Sequence, residues 1–207
     1  MIAALFVASG GCYFGLRGVD PWDERRDARL YDSSFPVVAH PPCERWGRYW
    51  SGGPSAKIRR QLGDDGGCFA SALASVRRCG GVLEHPEGSH AFRHYGLSVP
   101  RWREGWASAG DGLGMVCCVA QGNYEHRARK LTWLYGVALN PFPELDWSIP
   151  KSRSRLDYGF HSAEERWLKK SIISPAVNVD RLSTKENLAT PIVFRDLLLQ
   201  MARSVSR

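Results

Sequence analysis

The residues best suited to chemistry in this 207-residue chain begin at His40-Pro41-Pro42-Cys43, directly after the short apolar run Pro36-Val37-Val38-Ala39. Two consecutive prolines leave a buried strand by a stiff, extended exit, because proline fixes its own φ and restricts the residue before it. In open α/β sheets the ligand crevice lies beyond the carboxyl ends of the strands. Cys43 is therefore expected at a pocket mouth, where a thiolate serves as nucleophile; the alternative is a small buried cysteine in a turn. A second apolar run, Val82-Leu83, delivers Glu84-His85-Pro86 to the same edge. A carboxylate there can hydrogen-bond or protonate a heterocyclic nitrogen, or be ordinary surface. The third segment runs from Gln121 to Lys130. If it is extended, Arg127 and Arg129 project to one face and suit a phosphate or a carbonyl oxygen; the alternative is a solvated basic cluster.

These segments need a scaffold, and the pattern of short apolar runs alternating with helical stretches predicts an α/β fold. We expect a Rossmann-like, mostly parallel sheet flanked by helices, in one domain over residues 1–207. Its strands are expected at Ile2–Ala8, around Val37-Val38, at Val82-Leu83, at Met115–Ala120 and at Thr132–Tyr135. Asp65 is placed to cap a helix over Cys68–Cys79 that Gly80-Gly81 ends in a left-handed turn. Ser162 with Glu165 and Ser183 with Glu186 are capping-box patterns, the first of them opening a helix at Arg166–Ile172. Thr190-Pro191 reads as N-cap and first residue of a last helix that turns Val193, Phe194, Leu197, Leu198 and Met201 to the core. Residues 44–63, rich in Arg, Trp, Tyr and Gly, are long enough to form a functional lid. Residues 136–180 read as a small, irregular, basic insertion.

Composition sets outer limits. The formal charge is +7, with 43% apolar and 24% charged residues, an ordinary globular balance. No apolar run approaches the ~20 residues of a membrane span. The positive excess is concentrated at the end: residues 151–207 hold eleven Lys or Arg against six Asp or Glu. Such a region can meet nucleic-acid phosphates by displacing counterions, or be a solvated face. The six cysteines form no CxxC pair and lack the density of a disulfide scaffold, which favours a reducing, cytoplasmic setting. Met1–Cys12 has the outline of a lipoprotein signal but no basic start, and we read it as the first strand.

Taken together, the three chemical segments resemble the DNA cytosine-C5 methyltransferase family. Pro41-Pro42-Cys43 matches that family's nucleophile loop. Glu84-His85-Pro86 stands where its Glu-Asn-Val element carries the acid, with two of three residues changed. Glu125-His-Arg127-Ala-Arg129 is similar to its Gln-x-Arg-x-Arg element, and the order of the three is the family's. Leu5 to Leu16 looks like the family's first cofactor motif, departing from it at Ala4 and Ala8. Arg181-Leu182-Ser183-Thr184-Lys185-Glu186 is similar to its late Arg-x-Leu-Thr-x-x-Glu element, one residue shorter. Only eleven residues separate Ala8 from Asp20, too few for a normal first helix and second strand.

The resemblance implies an enzyme that flips a cytosine from DNA. Cys43 adds to C6, Glu84 supports protonation at N3, and Arg127 or Arg129 holds the base carbonyl or a phosphate. S-adenosylmethionine is the implied methyl donor, with Phe6, Gly10, Gly11, Asp20, Asp23 and Pro41 as its binding residues. DNA is the implied partner, contacted by Arg45, Trp46, Arg48 and Lys130 and, in the basic tail, by Lys169 and Lys170. A separate protein could supply sequence specificity. Trp46, Tyr49 and Trp50 could stack on an exposed base or pack the loop onto the domain. The shortened first half also admits a C5-pyrimidine modification without S-adenosylmethionine, or an inactive DNA-binding module on the same scaffold. A zinc deaminase is excluded because Trp46 occupies the position of its second cysteine after Pro42-Cys43. An amino-group methyltransferase would want an aromatic at Cys43, and His85, His90 and His94 match no zinc spacing.

Overall fold

The computed structural model describes residues 1–52, 57–151 and 182–206, and the fold is built on these. Runs in which every residue is apolar make strands buried on both faces. Strands β1 (Ile2–Leu5) and β3 (Val37–Ala39) are of this kind and buried throughout. Strand β2 (Val19–Trp22) carries Asp20 and Pro21, a composition that hides it in the sequence; it is an edge strand, where proline is tolerated. The remaining strands are β4 (Gly81–Pro86), β5 (Ala107–Ser108), β6 (Gly114–Ala120) and β7 (Leu131–Val137).

The seven strands form one sheet in the order β2-β1-β3-β4-β7-β6-β5. Strands β2, β1, β3 and β4 pair in parallel, whereas β4–β7, β7–β6 and β6–β5 pair antiparallel. The α/β expectation is met, and the mostly parallel one is corrected: half of the pairings are antiparallel. The physical reason is the connection at 121–130, which is too short for the crossover that parallel neighbours need. The chain runs from β1 to β2 on one side, then crosses to β3 on the other. The winding therefore reverses between β1 and β3.

Alternate residues supply two cores. Ala3, Leu5, Val37, Ala39, Leu83, Val116 and Tyr135 face helix α1 (Cys68–Cys79) and the short α2 (His90–His94), meeting Phe69, Leu73, Val76 and Phe92. Ile2, Ala4, Val38, Val82, Cys117 and Leu134 face the C-terminal helix, meeting Phe194, Leu198, Leu199 and Met201. Each fully buried Leu or Phe contributes about 1.5–3 kcal/mol. The N-cap of α1 is Gly67; Asp65, two residues before it, accepts from the Phe69 amide at 2.8 Å and so does the capping expected of it from outside the helix, and Gly80 closes the helix at φ 73°. Gly81 follows at φ 122°, where a Cβ would lie 2.0 Å from the Val37 carbonyl oxygen. Only glycine lets β3 and β4 approach at that point.

Near the C-terminus the Ser183–Glu186 capping box is present: Ser183 N donates to Glu186 Oε2 at 2.9 Å and Glu186 N to Ser183 Oγ at 3.2 Å. It opens α3 (Thr184–Leu188). Helix α4 (Ile192–Arg203) starts one residue later than expected, with Pro191 at the N-cap, and Val193 is exposed rather than buried. Residues 138–151 of the expected insertion carry no helix or strand. The first capping box, the helix at 166–172, Lys169 and Lys170 lie outside the described residues. Among the described residues no helix is long and apolar enough to cross a membrane.

One polar cluster ties α1 to the antiparallel half. Asp111 accepts from the Tyr135 hydroxyl at 2.6 Å, from Arg77 Nη2 at 2.9 Å and from the amides of Leu113 and Gly114. Burial alone would raise this carboxyl; the Tyr135 hydroxyl, the two amides and the Arg77 guanidinium outweigh it and hold it at about 2. A carboxyl depressed on folding adds stability above its unfolded value near 4, and that stability is lost as pH falls toward 2. Asp111→Asn is expected to lower stability at pH 7 by about 2 kcal/mol and to flatten the acid limb between pH ~4 and ~2. Urea unfolding across that range measures both.

Candidate active site

The carboxyl ends of β1, β3, β4 and β6 and the start of β7 lie at one edge of the sheet. The topology gathers there the turn after β1, the His40–Cys43 exit, Glu84 and the 121–130 connection. Glu84 is the centre of the cluster. Its side chain is 13% exposed, and each oxygen receives a donor: His40 Nδ1 at 3.0 Å on Oε2 and Gln121 Nε2 at 3.2 Å on Oε1. Gln121 Nε2 also donates to Thr132 Oγ1 at 2.8 Å. On the far side of the imidazole, His40 Nε2 lies 2.8 Å from the hydroxyl of Tyr13, which is buried. Because an ionised carboxylate only accepts, His40 Nδ1 is the donor to Glu84, and Nε2 is left to the Tyr13 hydroxyl. Five side chains, from the turn after β1, the ends of β3, β4 and β6 and the start of β7, thus form one line.

Burial would raise the Glu84 carboxyl, but the hydrogen bond and charge of His40, with the charge of Lys130, bring it below the ordinary value. Burial raises the Cys43 thiol, and the Glu84 charge raises it further, with Lys130 opposing. Burial pushes the Lys130 ammonium down while Glu84 and Cys43 push it back up. Lys130 Nζ also donates to the Ala189 carbonyl at 3.2 Å. His85, next to Glu84, is fully buried edge-on to Phe69, and burial lowers its imidazole to about 4, so it is a neutral core residue.

The two arginines expected to share a face do not. Residues 125–130 are not a strand; Glu125 and Lys130 have positive φ, and the backbone turns between them. Arg127 pairs with Glu186 in the first turn of α3, whose carboxyl is drawn to about 2 by Ser183 and Arg127. Arg129 stacks over Trp102 with its guanidinium 4.9 Å from the ring. Lys130, expected to touch DNA, precedes β7 at the same sheet edge, and its charge acts on Glu84 and Cys43.

Among the residues expected to contact DNA, Trp46 is 1% exposed. Its indole N–H donates to Asp65 at 2.8 Å, and its ring packs on Phe69, His94 and Tyr95, so it anchors the loop and cannot stack on a base. Arg45 is largely covered and turns back on the Trp50 carbonyl. Arg48 is exposed over Tyr49, which is 51% exposed and remains the stacking candidate of this loop.

The residues that the resemblance gives to S-adenosylmethionine lie in the turn after β1, in and just after β2, and at the exit of β3. Phe6 and Gly10 stand at φ 59° and 66° in the turn after β1, but residues 6–18 contain no helix. Gly11 packs on the Ala8 carbonyl oxygen, which a Cβ would meet at 2.8 Å, and Pro41 is buried. Asp23 follows β2 as a ribose-binding acid would. It is itself buried, and its oxygens accept from Ser9 Oγ at 2.6 Å and from the amides of Arg25 and Arg26. Asp20 accepts from Trp22 Nε1 at 2.8 Å and pairs with Arg26. Neither acid has an oxygen without a protein donor.

Tyr13, His40, Gln121 and Thr132 escaped sequence reading. His40 had one local signal, its place at the strand end beside Pro41; the others are ordinary residues brought in by topology. All six cysteines are free. No family model, no curated protein and no solved structure matches the chain.

The mutual influence of Cys43 and Glu84 has a direct readout. Glu84→Gln removes the charge that holds the Cys43 thiol up, so alkylation of Cys43 by iodoacetamide at pH 8 is expected to speed up, by as much as ~10-fold per pKa unit recovered. Peptide mass spectrometry over time measures it; an unchanged or slower rate contradicts the coupling.

Proposed function

We propose that the chain modifies a pyrimidine of DNA at C5 through covalent addition of Cys43 to C6, as its resemblance to cytosine-C5 methyltransferases implies, on a Rossmann-like scaffold. The observation that carries this reading is the strand order, which brings the Cys43 exit of β3, Glu84 on β4 and Lys130 just before β7 to one sheet edge. The reversal of winding between β1 and β3 supports it, since open α/β sheets bind their ligands at such switch points.

The chemistry follows from the groups present. A cytosine leaves the stack at a cost of a few kcal/mol and meets the Cys43–Glu84 edge of the sheet. The Cys43 sulfur attacks C6, Glu84 meets the N3 edge of the ring, and the Lys130 charge stabilises electron density pushed into the base. Since Cys43 rests as a thiol, its proton must leave as the carbon–sulfur bond forms. C5 then becomes the nucleophilic carbon. Exposed Tyr49, Arg48 and Arg129 supply a stacking ring and phosphate contacts. Six free cysteines suit a reducing, cytoplasmic setting. Of the two routes to a C5 product, the engaged oxygens of Asp20 and Asp23 favour an electrophile other than S-adenosylmethionine.

Addition at C6 makes the C5 hydrogen exchangeable before any electrophile arrives, so the reading can be tested without knowing the co-substrate. The wild-type chain is expected to exchange C5 hydrogen of cytosine in DNA for solvent deuterium, seen by nucleoside mass spectrometry. Cys43→Ser is expected to abolish exchange while DNA binding persists; equal exchange by the variant would remove Cys43 as nucleophile. For the cofactor, calorimetric titration is expected to give no heat with S-adenosylmethionine up to about 1 mM, weaker than about −4 kcal/mol of binding. Saturable binding would restore it as the donor.

A further inference from the structure

The edge of the sheet opposite Glu84 is where β1, β2 and β3 begin in parallel, beside the last turn of α4. Between these elements lies a partly open cavity of about 350 Å³, at the small end of ligand sites. Its apolar wall is Ile2 and Ala202, both buried, with half-buried Pro36. Its charged wall is Arg17, from the turn before β2, and Arg203, from the end of α4; both are exposed. Among the described residues no Asp or Glu lines the cavity, and neither arginine has a hydrogen bond, an ion pair or a ring partner. By contrast Arg26, Arg29, Arg77, Arg101, Arg127 and Arg195 each meet a carboxylate. The carbonyls around the cavity, which would repel an anion, are engaged. Gly18 O accepts from Ile2 N and Pro36 O from Ala3 N, both at 2.9 Å, and Ser204 N donates to the Gln200 and Met201 carbonyls at the end of α4. Gly18 stands at φ 78° with nothing within 4 Å of where its Cβ would be, so this wall is left open.

We propose that this cavity binds a small organic phosphate, its phosphomonoester group between Arg17 and Arg203 and its body against Ile2, Pro36 and Ala202. Two like charges that face one space repel each other, and an anion between them removes the repulsion. A guanidinium offers two parallel N–H donors to an oxyanion, so two of them match a tetrahedral group of nearly two negative charges better than a single carboxylate. The apolar wall favours an ester with a compact body over inorganic phosphate, because covering Ile2 and Pro36 adds hydrophobic stabilisation. A DNA backbone fits less well, since its phosphates carry one charge each along an extended polymer and the site is concave. The cavity shares no residue with the Cys43 edge, and the proposal is independent of the base-modification reading.

The probes are AMP, adenosine and inorganic phosphate, added to the full chain at constant ionic strength so that general screening is held fixed. AMP is expected to raise the melting temperature saturably and to bind once per chain in calorimetry, with Kd below about 1 mM. Inorganic phosphate should bind several-fold more weakly, and adenosine should neither bind nor stabilise. The double variant Arg17→Gln, Arg203→Gln is expected to weaken AMP at least ~10-fold, as loss of hydrogen bonds to a charged group does. Because neither arginine has a partner, the variant without ligand should melt at or slightly above the parental temperature. If the double variant fails to fold, each single variant is titrated instead, with the same loss expected. Parental AMP affinity in a folded variant overturns the site, as does a parental response to sodium chloride that equals the response to AMP. A duplex oligonucleotide that loses affinity in the variant, while AMP fails to bind the parent, assigns the two arginines to a DNA surface and also overturns it.

Discussion

A carboxylate buried at the end of a central strand is the constraint around which this molecule is organised. Glu84 lies where the parallel and antiparallel halves of the sheet meet, and an isolated charge there would be prohibitive without compensation. Compensation comes from His40 at the end of β3, Gln121 just past β6 and Lys130 just before β7. Each partner belongs to a different element, so satisfying one side chain draws four chain segments to a common point. Tyr13 extends the same requirement to the turn after β1, its hydroxyl lying 2.8 Å from the other nitrogen of the His40 ring. The chemistry proposed for the site uses groups that the fold already had to gather there.

The sheet supplies the precision that such a cluster needs. Its central strands are buried on both faces, and alternate residues pack against α1 and α2 on one side and α4 on the other. Strand ends held from both faces move little, so loops leaving them have fixed starting points. The exit from β3 is stiffened again by Pro41 and Pro42, while Trp46 pins the following loop to the α1 side through Phe69 and Asp65. A tryptophan in an Arg- and Tyr-rich loop invited a role in ligand stacking. Its burial gives it the opposite task of holding the loop down, leaving Tyr49 in solvent.

Local signals in the sequence were readable where chemistry is short-range. The apolar runs of β1, β3, β4, β6 and β7, the Asp65 cap, the Gly80 stop and the Ser183–Glu186 box all appear at or near their expected positions. Cys43 and Glu84 were legible because each directly follows such a run. What failed depended on distant partners. Edge strand β2 hides behind Asp20 and Pro21, since an edge relaxes the rules that a central strand obeys. Arg127 and Arg129 follow a strand-like alternation, but the turn between Glu125 and Lys130 sends one to Glu186 and the other to Trp102. Asp20 and Asp23 were readable as acids near a cofactor turn, yet Ser9, Trp22 and Arg26 engage them, and no spacing rule announces that. Gln121 and Thr132 are eleven positions apart and meet only because β6 and β7 run antiparallel.

The close approach at Gly81 bears on this cluster from the opposite end of the sheet. Gly81 pairs with Val37, Leu83 pairs with Ala39, and the two strands then part into the Cys43 loop and Glu84. The gap between nucleophile and carboxylate is thus gauged by a contact at the far end of the same two strands, where a missing methyl group lets the backbones touch. A position carrying no functional group acts as the shim for the site, so its width could be altered without replacing any residue that reacts.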